Sequence, residues 1–152
     1  MTSAGWSSQH GAVVLGNARA LRAHRAACDV HITQAKRAFD ADKFAAALDI
    51  AAKLLTRDPG NLDGNHIAGL AAHQLGHSQL AIQYLAKTLL HDRSGAEHHY
   101  ALAWVLSESG DYRRAQEHIT CAIELNDDDA RFHDLESSIV TTLAFQHDTG
   151  GE

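Results

Sequence analysis

The chain of 152 residues is 45% hydrophobic and carries a formal net charge of −6 when its twelve histidines are neutral. A chain of this length forms one domain with a sizeable core. Acidic and basic residues are interspersed, and the absence of a polybasic stretch argues against a nucleic-acid partner. No stretch approaches the roughly 18 apolar residues of a transmembrane helix, so we do not expect membrane insertion.

The composition favours helices over strands. Ala and Leu supply most of the hydrophobic residues, aromatic residues make up 6%, and there is a single Pro. Ala and Leu lose little conformational freedom in a helix. Cys28 and Cys121 lie far apart at no metal-ligand spacing, and we interpret them as free thiols in a reducing compartment. The N-terminal apolar stretch lacks a preceding basic residue, which makes it a poor secretion signal and predicts a cytoplasmic protein.

Residues 1–27 are predicted to be a flexible N-terminus followed by a flanking helix. Residues 1–10 are mostly small and polar, as is common in disordered termini. A helix over about 12–26 then places Val14, Ala18 and Leu21 on one weakly apolar stripe. We expect this stripe to cover the end of the helical array that follows.

A 34-residue period extends over residues 28–129. It divides this part of the chain into three units, 28–61, 62–95 and 96–129, and each unit is predicted to form two helices. The first helices are predicted over 29–40, 63–75 and 97–109, and the second helices over 45–57, 79–91 and 113–125.

Turn residues and small residues repeat in phase with this period. Gly76 and Gly110 separate the two helices of the later units, where a left-handed backbone suits glycine, and the first unit has Asp42 at that position. Pro59 lies in a helix stop that ends the first unit. Two helices approach within roughly 8–10 Å only where little side chain intervenes. The predicted crossing pairs are Ala35 with Ala47, Gly69 with Ala81, and Ala103 with Ala115.

The last predicted helix covers residues 130–147 and caps the array. Its apolar residues fall on one stripe, and residues 148–152 are predicted to be a disordered tail. The stripe consists of Phe132, Leu135, Ile139, Leu143 and Phe145.

The stretches GLAAHQLGHSQLAIQYL and ALAWVLSESGDYRRAQEHI carry a small–large–Gly–aromatic–Ala pattern. Over residues 28–129 the chain resembles the tetratricopeptide repeat family, whose unit is a helix–turn–helix of 34 residues. The resemblance implies an all-α fold, an α-solenoid of three such units between two flanking helices. It also implies that the first helix of each unit lines a concave groove that binds a peptide.

Groove positions carried over from the family define the candidate site. This surface combines apolar or aromatic side chains in the middle with carboxylates at the edge, which suits a client segment with apolar anchors. Tyr100 and Trp104 are the expected hot spots, because aromatic side chains dominate interface energetics. Leu70, Phe39 and Trp104 also fit core positions. The predicted groove consists of Asp29, Ile32, Lys36, Phe39, Asp63, His66, Leu70, His73, Glu97, Tyr100, Trp104 and Glu108.

The resemblance implies a protein-interaction module that has a protein or peptide client and no cofactor. Family members that bind the acidic tails of heat-shock chaperones use a clamp of Lys, Arg and Asn, which is missing here apart from Lys36, while Glu97 adds an acid. The three repeats, flanking helices and length are also similar to the cytosolic chaperones of type III secretion translocators. A generic scaffold or adaptor is the alternative, and a homodimer is left open.

Twelve histidines raise the alternative of a metal-responsive protein. His73 and His77 have helical spacing, but His77 falls in a turn, and no HExxH or comparable ligand spacing is present. We therefore expect surface histidines and no metal site, whereas convergence of His66, His73 and His99 would indicate one. The chain also lacks a phosphate loop, a dinucleotide fingerprint and a GxSxG motif, so we predict no enzymatic activity.

Overall fold

The computed structural model describes the backbone of residues 6–149 and the side chains of residues 16–147. This part of the chain is all α-helical, which confirms the predicted fold class. None of the helices formed by the described residues is long and apolar enough to cross a membrane. The helices are α1 (Trp6–Asp40), α2 (Phe44–Arg57), α3 (Leu62–Gln74), α4 (Ser78–His91), α5 (Ala96–Glu108), α6 (Tyr112–Leu125) and α7 (Ala130–Thr149).

The curvature of the stack follows from which helices touch. Each helix packs against its neighbour in sequence, and in addition α1 contacts α3, α3 contacts α5, and α5 contacts α7. Within residues 6–149, the backbones of α2, α4 and α6 do not approach one another, since no Cα atom of one lies within 8 Å of a Cα atom of another. The odd-numbered helices therefore lie on the shorter, inner side of a curved stack. A repeat array curved in this way presents a concave surface, here formed by α1, α3, α5 and α7.

Helix α1 is one continuous element of 35 residues, so the predicted flanking helix and the predicted helix over 29–40 are not separate. No Gly or Pro follows Gly16 within α1 to interrupt it. The prediction that the N-terminal stripe covers the array was wrong, because Leu21 is 69% exposed. At 1.5 Å per residue α1 is about 50 Å long and α2 about 20 Å, so the N-terminal half of α1 extends beyond α2.

Both predicted disordered ends are helical in part. Helix α1 begins at Trp6, and α7 continues to Thr149, whereas the expected disorder covered residues 1–10 and 148–152. Residues 1–5 and 150–152, and the side chain of Val14, lie outside the described part.

The turn inside each unit has the same left-handed residue. The φ angles are +57° at Asp42, +81° at Gly76 and +85° at Gly110. The N–H of this residue donates to the carbonyl three residues back, and the next N–H donates to the carbonyl five residues back. These paired hydrogen bonds form a Schellman-type helix end. The substitution of Asp for Gly in the first unit therefore leaves the turn geometry intact.

We expect Asp42→Gly to raise the free energy of unfolding by about 0.5–1 kcal/mol, because glycine adopts a left-handed backbone without a Cβ clash. Gly76→Ala and Gly110→Ala should each lower it by about 1 kcal/mol. No atom lies within 4 Å of either new Cβ, so these two variants report backbone strain alone. Urea unfolding provides the measurement. Destabilisation by Asp42→Gly would mean that interactions of the carboxylate outweigh the strain.

Small residues set the spacing between the two helices of each unit. Gly69 is buried, and a Cβ there would lie 2.6 Å from Leu85 Cγ and 3.3 Å from the carbonyl oxygen of Ala81. The α3–α4 crossing therefore lies at the predicted Gly69/Ala81 pair. The other predicted crossing residues, Ala35, Ala47, Ala103 and Ala115, have no exposed surface.

We expect Gly69→Ala to destabilise the fold by about 1–3 kcal/mol through overpacking. Leu85→Ala should cost about 2–5 kcal/mol by itself, because Leu85 is fully buried. In the double variant the Gly69→Ala penalty should be smaller, since the atoms it meets first are removed. A double-mutant cycle measures this coupling. An equal penalty in both backgrounds would place the conflict at the Ala81 carbonyl.

Helix α7 packs on the end of the array described here, with four of the five predicted stripe residues turned toward the core. Phe132 and Ile139 are buried, and Leu135 and Leu143 pack against the same core. Phe145 is 71% exposed, so its inclusion in the stripe was wrong. The reason is helical geometry, because a residue two positions after Leu143 lies roughly on the opposite face.

Candidate functional site

The twelve predicted groove residues, which we call the candidate groove, lie on α1, α3 and α5, three of the helices of the inner side. None of the twelve is fully buried. Their charged members are exposed, and the apolar, aromatic and histidine members are half-buried. The candidate core positions at Phe39, Leu70 and Trp104 therefore pack on the core while keeping part of their surface accessible.

Aromatic contacts join neighbouring inner helices at the centre of the candidate groove. His73 of α3 packs edge-on against Trp104 of α5, with ring centroids 4.8 Å apart. Tyr100 of α5 stacks on Phe132 of α7 at 5.0 Å. Leu70 packs against the same core cluster as these residues. The side chains are thus held in place by their neighbours, which lowers the entropy that a ligand must remove on binding.

Ion pairs neutralise half of the predicted acidic edge. Lys36 Nζ lies 3.2 Å from Asp63 Oδ1 and joins α1 to α3. Arg131 Nη2 lies 2.9 Å from Glu97 Oε2, joining α7 to α5, and 2.6 Å from Asp129 Oδ2. These pairs are exposed, and such pairs contribute about 0–1 kcal/mol each. Asp63 and Glu97 therefore present less negative charge to a ligand than the sequence suggested.

His66 and His98 form a second contact between α3 and α5. Their ring centroids are 5.4 Å apart. Burial, and then the neighbouring His98, lower the pKa of His66 from its ordinary value of 6.5. Among the described side chains, the buried Nδ1 atoms of His66, His73 and His98 have no hydrogen-bond partner. Because these atoms are shielded from solvent, a bound segment reaches them only if the imidazole rings rotate.

A third group of side chains holds the loops between units. At equivalent positions one repeat apart, a side-chain nitrogen donates to the backbone carbonyl six residues earlier, in the loop before the inner helix. The pairs are Asn65 with Pro59, His99 with Arg93, and His133 with Asp127. Because Nε2 of neutral His99 carries the proton, its Nδ1 accepts from His118 Nδ1, 3.2 Å away.

The alternative metal set of His66, His73 and His99 does not form. His66 packs on His98, His73 packs on Trp104, and His99 bonds to His118 and a loop carbonyl. Within the described side chains, the one group of three His, Cys or acidic residues with converging donor atoms lies elsewhere.

Three residues of this surface were missed by the sequence analysis. His98, Arg131 and Phe132 contact His66, Glu97 and Tyr100, respectively. The signal existed for the two residues of α7. Arg131 and Phe132 lie one 34-residue period after Glu97 and His98, so α7 continues the inner helices in register.

We expect His66 to make stability depend on pH. Because the pKa of His66 is lowered in the folded state, the unfolded chain takes up the proton first as the pH falls. The contribution of neutral His66 to the free energy of unfolding is therefore complete above pH 6.5 and is lost as the pH falls through the lowered value. Urea unfolding should show that the free energy of unfolding of the parent decreases between about pH 7.5 and about pH 5.5, and that the decrease is smaller in His66→Gln.

His133→Gln is the matched control because its sign is opposite. A hydrogen bond to the Asp127 carbonyl raises the pKa of His133, which stabilises the fold at low pH and is lost as the pH rises through that value. The free energy of unfolding of His133→Gln should therefore decrease more than that of the parent when the pH is lowered. If His66→Gln and the parent have the same pH dependence, burial of His66 does not control it.

No protein-family model matches the chain, and no curated protein matches it in sequence. Solved structures match it in fold. The first tetratricopeptide-repeat domain of Spaghetti (RPAP3), bound to the HSP90 peptide SRMEEVD, is 17% identical with a TM-score of 0.74 and covers 77% of this chain and 93% of that one. The Sgt2 domain of Aspergillus fumigatus is 16% identical with a TM-score of 0.75, covering 82% and 83%. The chain has the tetratricopeptide-repeat fold.

The type III secretion chaperone SycD of Yersinia enterocolitica, in complex with a peptide of the translocator YopD, also matches this tetratricopeptide-repeat chain. It is 18% identical with a TM-score of 0.65, covering 76% of this chain and 88% of SycD. The predicted resemblance to the repeat fold is thereby confirmed. At these identities the similarity establishes the fold and not the function.

Proposed function

We propose that this chain is a protein-interaction module whose candidate groove binds an extended or helical segment of a protein client. The observation that carries the proposal is the row of half-buried rings His73, Trp104 and Tyr100 on α3 and α5, which is backed on α7 by the buried Phe132 under Tyr100. Aromatic side chains that are fixed but still accessible are the residues that dominate interface energetics.

The charges favour an apolar client segment over an acidic tail. RPAP3 binds the peptide SRMEEVD, which ends in acidic residues. In this chain the one basic residue of the predicted groove, Lys36, is paired with Asp63. Arg131, the basic residue that α7 adds to this surface, is likewise held by Glu97 and Asp129. We therefore infer that apolar anchors, and not a carboxylate clamp, hold the client.

SycD offers a functional parallel for such a client, since it is similar in fold and was solved with a translocator peptide. On that basis we propose a chaperone role toward an apolar segment, with a generic adaptor as the alternative. A non-catalytic role is in keeping with the peptide-binding neighbours. The cytoplasmic location, the homodimer and the specific assignment to type III secretion stay predictions.

The proposal is tested with a peptide selected from a displayed random library against the parent protein. We expect enrichment of peptides with spaced apolar residues. Trp104→Ala should weaken binding of the selected peptide by roughly 2 kcal/mol or about 30-fold, because the indole is the largest side chain of the row and is still partly accessible. Tyr100→Ala should weaken it similarly. Fluorescence anisotropy measures the affinities, and circular dichroism confirms that each variant is helical.

Gln83→Ala and Glu117→Ala are the matched controls on the outer helices α4 and α6, where both residues are exposed. They should leave affinity unchanged. SRMEEVD serves as the acidic-tail probe and should bind weakly or not at all. Loss of affinity at Gln83 or Glu117 with none at Trp104 would place the client on the outer surface. Tight SRMEEVD binding would contradict the apolar-anchor proposal.

A further inference from the structure

Three potential metal ligands converge away from the candidate groove, where α1 passes the end of α2. His24 and Cys28 lie one helical turn apart on α1, and Asp58 is the C-cap residue of α2. One donor atom from each residue lies within 4.8 Å of the other two. Cys28 Sγ is 3.7 Å from His24 Nε2. Sequence spacing could not reveal this group, because Asp58 lies in another element.

We propose that His24, Cys28 and Asp58 bind a zinc ion, with the fourth coordination position open. Zinc prefers nitrogen, sulfur and oxygen donors in tetrahedral geometry. Bond lengths of about 2.3 Å to sulfur and 2.0–2.1 Å to nitrogen place those two donors about 3.6 Å apart in a tetrahedron. The observed separation of 3.7 Å already matches that edge. The proposal replaces the sequence-based expectation of no metal site.

The surroundings support coordination in three ways. Asn61 Nδ2 donates to Asp58 Oδ2 at 3.0 Å, which fixes the carboxylate as an outer-shell partner would. Asn61 is itself held because its side-chain oxygen accepts from the N–H of Gly64 at the start of α3. His24 is exposed, and a surface cleft of about 500 Å³ reaches the three residues, so an ion has an entry path.

The charge balance of the site is also favourable. On binding, the thiol of Cys28 releases its proton to solvent, and the thiolate and the Asp58 carboxylate then neutralise the ion. Arg22 and Arg25 line the same cleft and oppose a cation, while Asp29 compensates for one of them. A neutral zinc complex is less sensitive to these guanidinium groups than a free cation would be.

The structural consequence is a tie between two elements. Cys28 is 6% exposed, whereas residues 19–27 are all exposed, so Cys28 is the point where α1 enters the core. Zinc would join this point to the loop between α2 and α3. The competing interpretation is a small buried thiol with a weak contact to a surface imidazole, and it predicts no selective metal affinity.

The test uses full-length untagged protein, kept reduced without thiols, and zinc alone as the probe. Competition against a chromophoric chelator should give one zinc per chain. His24→Gln, Cys28→Ser and Asp58→Asn should each weaken binding by at least about tenfold. Zinc should also raise the melting temperature of the parent, and this increase should be absent in Cys28→Ser.

Two controls separate this site from non-specific binding by the other histidines. His31→Gln removes another imidazole of α1, and Cys121→Ser removes the other cysteine, and both should bind zinc as the parent does. Cobalt substituted for zinc should give thiolate-to-metal charge transfer and strong tetrahedral visible bands, and the charge-transfer band should be lost in Cys28→Ser but kept in both control variants. Absence of stoichiometric zinc in the parent, or equal loss in the controls, would overturn the proposal.

Discussion

The close approach of two helices at a pair of small residues is the constraint on which this structure depends. At Gly69 the space for even one methyl group is already filled by Leu85 and the Ala81 carbonyl. The same crossing recurs at buried alanines one period before and after it. Units that each pair two helices in this way stack side by side, and the odd-numbered helices lie together on the inner side.

Sequence was sufficient for the parts of the fold that repeat. Small residues and turn residues recur in phase, so α2 to α6 lie within one residue of their predicted bounds. Even Asp42 keeps the left-handed turn, as the register required. The N-terminal part of α1 and the C-terminal end of α7 occur once each, so no repeated sequence indicates which of their faces is buried. The exposure of Leu21 depends on how far α1 extends beyond α2, and that of Phe145 depends on the rotation of α7, which periodicity did not fix.

The candidate groove was predictable as a set of positions but not as a set of interactions. Lys36 and Asp63 come from different units, and their pairing depends on rotamers and on the spacing between helices. The sequence likewise did not show that the histidines have different structural roles. His99 and His133 hold inter-unit loops in the way that Asn65 does, whereas His66 and His73 face neighbouring inner helices.

Helix α1 connects the two proposed sites. It carries Ile32 and Lys36 of the candidate groove, and Cys28 lies one turn before Ile32, about 6 Å along the axis at 1.5 Å per residue. A helix is stiff over such a distance, so a ligand that fixes Cys28 against Asp58 also restricts the rotation of the first groove positions. Within residues 6–149, α3 and α5 each contact inner helices on both sides, whereas α1 contacts one inner helix, α3. An added tie at Cys28 therefore acts on a groove helix that has fewer neighbours to hold it than α3 or α5.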